Sequence, residues 1–258
     1  QIATVAAPAV TGLIYGGYGA SIAWYIPNVL ITIAFLLYLF GMSAKPRQWR
    51  SSEKRESAAK SIKAGWKFIL TNNVMLAVMA LDMFAVIFGG ALAMLPAYAD
   101  QVLHVGSEGL GILRAAPAIG AIGIALFLAV KPFKTIKAKW LLFVIIGFGI
   151  CTIGLGLSNA FWFSLLCLVL SGAFDSVSMV IRSTLMQWLT PDNMRGRVSS
   201  VNSMFIISSN QIGAFWQGTL AKFAGLVPSI IIGGIGSLMV VGVTTALVPK
   251  LKKLEVRP

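Results

Sequence analysis

Eight long apolar runs set the terms for any fold this chain adopts: about residues 3–18, 22–42, 74–98, 109–130, 140–158, 161–189, 198–221 and 228–248. Each comes close to the ~20 residues a helix needs to cross a bilayer. Hydrocarbon offers no water to backbone amides, so a spanning segment must be a helix or part of a closed barrel. A barrel strand would show segments of about ten residues with strict polar alternation, and none of these runs does. The pattern predicts an all-α integral membrane protein with about eight transmembrane helices. Composition agrees, since 57% of residues are hydrophobic and 11% charged, against about 25% charged in soluble domains.

A net charge of +13 would suggest nucleic acid as the partner of a soluble protein. Here the basic residues follow topology instead. Lys45, Arg47, Arg50, Lys54, Arg55, Lys60, Lys63 and Lys67 fill one connection, and Lys131, Lys134, Lys137 and Lys139 another. Arg195 and Arg197 mark a third, and Lys250, Lys252, Lys253 and Arg257 form the tail. Even numbers of spans separate these groups, so all fall on one side, which the positive-inside rule makes cytoplasmic. The partners expected are a lipid bilayer and a small molecule, with no nucleic acid.

The polar stretch at 43–67 divides two spans from six, giving a partial bundle over 1–43, a basic linker over 44–70, and a six-helix bundle with basic tail over 71–258. In the linker's second half Ile62, Trp66 and Ile69 share one helical face and Lys60, Lys63 and Lys67 another. That amphipathic pattern fits a helix lying on anionic headgroups, and equally a solvated linker helix. Glycines recur inside the spans, where small residues let helices approach closely. Pro96 and Pro117 are expected to kink or end their helices. Cys151 and Cys167 lie in apolar runs without further ligands at metal spacing and read as small core residues. The chain opens at Gln1 inside an apolar run, with no charged leader region, so the expectation is a longer protein truncated at its amino terminus.

Four charges fall inside spans: Asp82, Arg114, Asp175 and Arg182. A carboxylate in hydrocarbon costs roughly 2.5–3.5 kcal/mol, so its presence there points to a proton relay, an ion site or a substrate contact. At 1.5 Å rise per residue, Asp82 lies about 12 Å from the cytoplasmic start of its helix, and Asp175 roughly 10 Å from the same face. The two are nearly level. Arg114 lies about 8 Å below the outer face on that arithmetic, too far from Asp82 for a direct pair. Arg182 follows Asp175 by seven residues on one helical face. Its depth is close to the inner interface, where it could snorkel to phosphate or cap the loop near Asp192, or act on substrate or in gating. In the seventh run Ser203, Asn210 and Gln217 recur every seven residues, with Asn202, Ser209 and Trp216 one step round. That face meets other helices or a water-filled cavity, and both fit.

Enzymatic chemistry finds little support. His104 sits in a short outer connection with Asp100 and Glu108 and has no nucleophile at a recognisable spacing. No phosphate-binding loop of the Walker type is present in the sequence. The expectation is a protein that is not an enzyme and has no cofactor or metal site.

Two spans, a basic linker and a six-span bundle resemble the carboxy-terminal two thirds of a major facilitator superfamily transporter. The segments Leu81-Asp82-Met83-Phe84-Ala85-Val86, Gly89-Gly90, Leu95-Pro96 and Gly109-Leu110-Gly111-Ile112-Leu113-Arg114-Ala115-Ala116-Pro117-Ala118-Ile119-Gly120 resemble helices seven and eight of its enterobactin-exporter-like (transmembrane secretion effector) branch. Ile181-Arg182-Ser183-Thr184 and Thr190-Pro191-Asp192-Asn193-Met194-Arg195-Gly196-Arg197-Val198 resemble the tenth helix and its following loop. The runs would then be helices 5–12 of that fold. Ala3-x-x-x-Ala7-Pro8-x-x-Thr11-Gly12 is similar to the antiporter motif Gly-x-x-x-Gly-Pro-x-x-Gly-Gly, keeping only Pro8 and Gly12.

The resemblance implies that helices seven and ten, which carry Asp82 and Asp175, line a central cavity. Away from water a carboxylate can take up a proton, because the neutral form is the one favoured there. The expected function is export of small amphiphilic molecules, of drug or siderophore type, across the cytoplasmic membrane by proton antiport. Asp82 is the leading coupling site and Asp175 the second. Arg114, Asn210, Gln217 and Trp216 are candidates for the substrate cavity, and Arg182, Asp192, Arg195 and Arg197 for the gating loop. Import, facilitated diffusion and a non-transporting scaffold or sensor are the alternatives.

Overall fold

The computed structural model describes residues 14, 21–22, 24–39, 58–131, 135–248 and 255–256. The run at 3–18 therefore lies outside the described residues except for Ile14, as do the antiporter-like residues Ala3 to Gly12 and linker residues 44–57. The second run forms helix α1, Trp24–Leu39. The linker's second half forms α2, Ala58–Thr71, and the six remaining runs form the bundle. Asn72 caps the start of α3, Asn73–Gly89, accepting from the backbone amides of Val74 (3.2 Å) and Met75 (3.1 Å). The other helices are α5, Ser107–Val130; α6, Lys139–Leu157; α7, Phe161–Leu189; α8, Arg195–Ala224; and α9, Leu226–Leu247.

Five stretches are long and apolar enough to cross a membrane: Asn73–Gln101, Ser107–Val130, Lys139–Leu157, Phe161–Leu189 and Leu226–Leu247. Helix α8 is not among them despite its 30 residues. Its length, about 45 Å at helical rise, exceeds a bilayer core, and the polar stripe on it lowers its hydropathy. Large apolar side chains cover the outside of the bundle, Leu126, Phe143, Phe215 and Phe223 among them. Trp140 and Trp188 stand at one end of the helices and Trp162 at the other, all exposed. Tryptophan at helix ends is the signature of the two membrane interfaces.

Pro96 and Pro117 act differently from the sequence expectation. Helix α5 continues through Pro117 to Val130. Helix α3 gives way at Gly90, six residues ahead of Pro96, to a 3-10 turn, Ala91–Met94, and the chain resumes as α4, Leu95–Gln101, with Pro96 in its first turn. Proline is well placed there, because the amide it lacks has no partner in a first turn. Neighbouring helices satisfy the carbonyls around the break, which is what allows irregular backbone at membrane depth. The fully buried Gln217 of α8 donates through Nε2 to the Phe88 carbonyl. Ser237 of α9 donates to Ala85 O at 3.0 Å. A Cβ on Gly233 would strike both Gln217 Nε2 and Phe88 O, so only glycine leaves room for that bond.

Helix α5 packs along α7, α6 lies against α7 and α9, and α3 against α8 and α9. The crossing of α5 and α7 is backbone to backbone. A Cβ on Gly120 would overlap Val169 O, and one on Gly172 would overlap Pro117 O. One apolar cluster joins Val78 and Leu81 to Leu141, Ile145, Ile181, Leu185 and Val241. At the opposite end a second gathers Leu95, Tyr98, Leu113, Leu155, Leu168 and Ile230. Tyr98 Oη pins that end, donating its single proton within a ring of oxygens: Leu155 O at 2.8 Å, Ser158 O at 2.7 Å and Ser164 Oγ at 2.9 Å.

The amphipathic linker helix docks on the bundle. Ile69 of α2 is buried with Met75, Met79, Met186, Val198 and Val201, and Trp66 stacks on Phe205 of α8 with centroids 4.9 Å apart. Part of its apolar face is thus given to protein, while Ile62, Trp66 and Leu70 stay exposed. Two short strands, Ile136–Lys137 and Glu255–Val256, pair antiparallel and place the α5–α6 connection beside the tail, at the end where the charge pattern sets both.

Candidate functional site

The break between α3 and α4 forms one wall of a cavity of about 370 Å³. Gly89, Gly90, Ala91, Leu92 and Ala93 supply that wall. Facing it are Pro117 of α5, Phe148, Cys151, Thr152 and Leu155 of α6, Cys167, Leu168, Ser171, Gly172 and Asp175 of α7, and Asn210 and Ala214 of α8. The lining is chiefly apolar with a few hydroxyls, thiols and one amide. Asp175 is its single charged side chain, exposed toward the open space, and no ion pair or hydrogen bond joins it to a described residue. This is the composition of a small-molecule site, in which apolar walls supply contact and a few polar groups fix orientation.

Asp82 is placed otherwise. The residue is 8% exposed and its carboxylate forms an ion pair with Arg182 of α7, itself 6% exposed. The roles expected of Arg182 are contacts with headgroup phosphate, the loop near Asp192, substrate or the gate; the structure instead pairs it with Asp82. Helix α7 has 29 residues, about 43 Å at helical rise against a ~30 Å core. Counting from its outer end therefore carries residues too far across. Side chains of a helix also lean toward its amino terminus, and for α7 that lean takes the guanidinium back toward mid-membrane, where Asp82 sits.

The two carboxylates border a common space even so. A narrow space of about 10 Å³ lies between Asp82, Asp175 and Ser178, lined also by Ala85, Val86, Val144, Ile145, Phe148 and Phe174. Asp175, Val86 and Phe148 also line the larger cavity, so one wall separates the two spaces.

The polar stripe of α8 divides. Asn210 reaches the cavity, its Nδ2 donating to Ile206 O at 2.8 Å. Gln217 is consumed in packing against Phe88 O, and Trp216 stands edge-on to the Phe88 ring, with neither on the cavity wall. Ser209 is buried and bonds back to Ile206 O at 3.0 Å, whereas Ser203 is exposed. Arg114 is exposed and does not line the cavity. Asp192 and Arg195 pair at 2.9 Å on the surface, and Arg197 Nη1 approaches Met194 Sδ at 3.8 Å.

Sequence reading missed four contributors. Thr152, Ser171 and Ser178 carry no signal apart from being hydroxyls in apolar runs, and the Gly89-Gly90 pair looked like any other small-residue packing site. Cys151 and Cys167, read as core residues, are buried and line the cavity as well.

The sequence model described as Major Facilitator Superfamily matches residues 1–214. The chain belongs to the major facilitator superfamily, and it is a multi-pass membrane protein. It is similar to the enterobactin exporter EntS of Escherichia coli O127:H6, with 26% identity over 251 residues covering 96% of this chain and 58% of that protein. The EntS of Shigella boydii serotype 18 is 27% identical over the same shares. The chain thus spans 58% of the length of these curated relatives. No solved structure matches.

Proposed function

We propose that the protein is a secondary active transporter that exports small amphiphilic molecules across the cytoplasmic membrane in exchange for protons. The observation that carries this reading is the unpaired carboxylate of Asp175 on the wall of an otherwise apolar cavity beside a broken helix. Discontinuous helices bordering a mid-membrane cavity are a recurrent way to build transporter sites, and the break supplies backbone that can change conformation. The siderophore end of the substrate range is suggested by the relatives' name, and the drug end by the apolar walls.

In this reading Asp175 exchanges a proton with cavity water, and substrate and proton compete for the space around it. Asp82, already neutralised by Arg182, moves to second place as a coupling site. Basic connections and tail face the cytoplasm. Asp192, Arg195 and Arg197 gate the inner end. The exposed Asp192–Arg195 pair is worth about 0–1 kcal/mol, so exchanging it for a contact across the cavity mouth costs little.

The test is substrate efflux from vesicles containing the complete protein under an imposed pH gradient. Asp175→Asn is expected to abolish dependence on the gradient while leaving the protein folded. Undiminished coupling in that variant overturns the reading.

A further inference from the structure

The side of α6 turned away from the cavity carries a second hollow. At about 100° per residue, Lys139, Leu142, Phe143 and Ile146 share one face of α6, and the cavity-lining Phe148, Cys151, Thr152 and Leu155 share the opposite one. Together with Leu238, Val241 and Gly242 of α9, the first face borders a groove of about 600 Å³. Phe143 at its edge is 67% exposed, so the groove opens on the outside of the bundle. It runs from Lys139 to Ile146 on α6 and from Thr245 back to Leu238 on α9, about 10 Å at helical rise and within the ~15 Å depth of one leaflet. The hydroxyl of Thr245 in its lining donates to Gly242 O at 2.8 Å. The walls therefore offer an occupant apolar contact along their length.

Gly242 marks the groove independently. On each of the other glycines of α6 and α9 a Cβ would meet a neighbour at 3.1 Å or less, whereas one on Gly242 would meet nothing within 4 Å. The protein's own packing does not need a glycine there, and glycine inside a helix is destabilising relative to alanine. What the missing side chain provides is width in the groove.

Charge identifies the head of the occupant. Lys139 begins α6 and is exposed at one end of the groove. Pairing of Ile136–Lys137 with Glu255–Val256 holds the α5–α6 connection and the tail together at that end. Residues 131–139 and 249–258 carry eight lysines and arginines against Glu255 alone. Bases beside a membrane attract anionic lipid headgroups.

We infer that the groove between α6 and α9 is a binding site for one anionic phospholipid, with an acyl chain lying over Gly242 and the headgroup phosphate on Lys139. A zwitterionic lipid places the same chain in the groove but brings its own cation to the basic end, so the anionic headgroup is preferred. The site follows from the bundle's outer surface and stands apart from the transport reading.

The experiment titrates the complete protein, delipidated in detergent, with phosphatidylglycerol and separately with phosphatidylcholine of the same acyl chains, and counts retained lipid by native mass spectrometry. Saturable retention of one phosphatidylglycerol is expected, with phosphatidylcholine held more weakly. Lys139→Gln lowers that preference about fivefold, the effect of one lysine at an anionic surface. Gly242→Leu, whose side chain enters the open space, abolishes retention, while Gly242→Ala, too small to fill the groove, keeps it. Thermal melts confirm that the variants are folded. Equal retention of the two lipids, a preference unchanged by Lys139→Gln, or retention undiminished in Gly242→Leu overturns the inference. So does a dimer, seen by light scattering, that Gly242→Leu converts to monomer whatever lipid is added, because a second copy is then the occupant.

Discussion

Asp82, Asp175 and Arg182 look alike in the sequence as costly charges in apolar runs, yet the structure gives them different surroundings. A buried pair loses most when one partner is removed, because the other is left charged and uncompensated, at about 3–5 kcal/mol. Asp82→Asn and Arg182→Ala are therefore each expected to lower thermal stability in detergent sharply. The double variant Asp82→Asn with Arg182→Met should recover much of the loss, since both charges leave together. Thermal melts of the three variants check this. Asp175→Asn removes an unpaired charge and is expected to leave the melting temperature unchanged or raised. The sequence made the presence of these charges plain, but their pairing depended on side-chain lean and on the overhang of a 29-residue helix.

Helix α3 and its continuation show how neighbours decide the course of an element. The run at 74–98 was legible as one span, and Pro96 as a breaker, but proline sits comfortably in the first turn of α4 while the break lies at Gly90. Gln217 and Ser237, more than a hundred residues away, hold the carbonyls before the break. Gln217→Leu should leave Phe88 O buried without its donor and cost about 1–3 kcal/mol, measurable as a lower melting temperature. Gly120→Leu should be worse, because Val169 O occupies the place of its side chain and backbone cannot yield as a rotamer can. Loss of folded, monodisperse protein on size exclusion would register it. The linker helix was legible as amphipathic, and its contact with α8 came from Trp66 stacking on Phe205 and Ile69 entering a buried cluster.

Across the whole molecule the ends of the helices sort as the charge alternation requires. The Tyr98 ring of hydrogen bonds ties the α4 end to the α6–α7 connection, while strand pairing joins the α5–α6 connection to the tail at the other. Single cysteines in place of exposed His104 and exposed Asn193, with Cys151 and Cys167 replaced by alanine, are expected to react with impermeant maleimide from opposite sides of the membrane. Labelling of both from one side would contradict the topology. By itself the sequence determined the membrane class, the number and bounds of most described helices, and their alternation, because each depends on properties local to a segment of about twenty residues. The ion pair, the break at Gly90, the cavity beneath it and the groove at Gly242 were decided only by tertiary structure. Each depends on which side chains from distant segments arrive at one depth, and hydropathy carries no record of rotation about a helix axis.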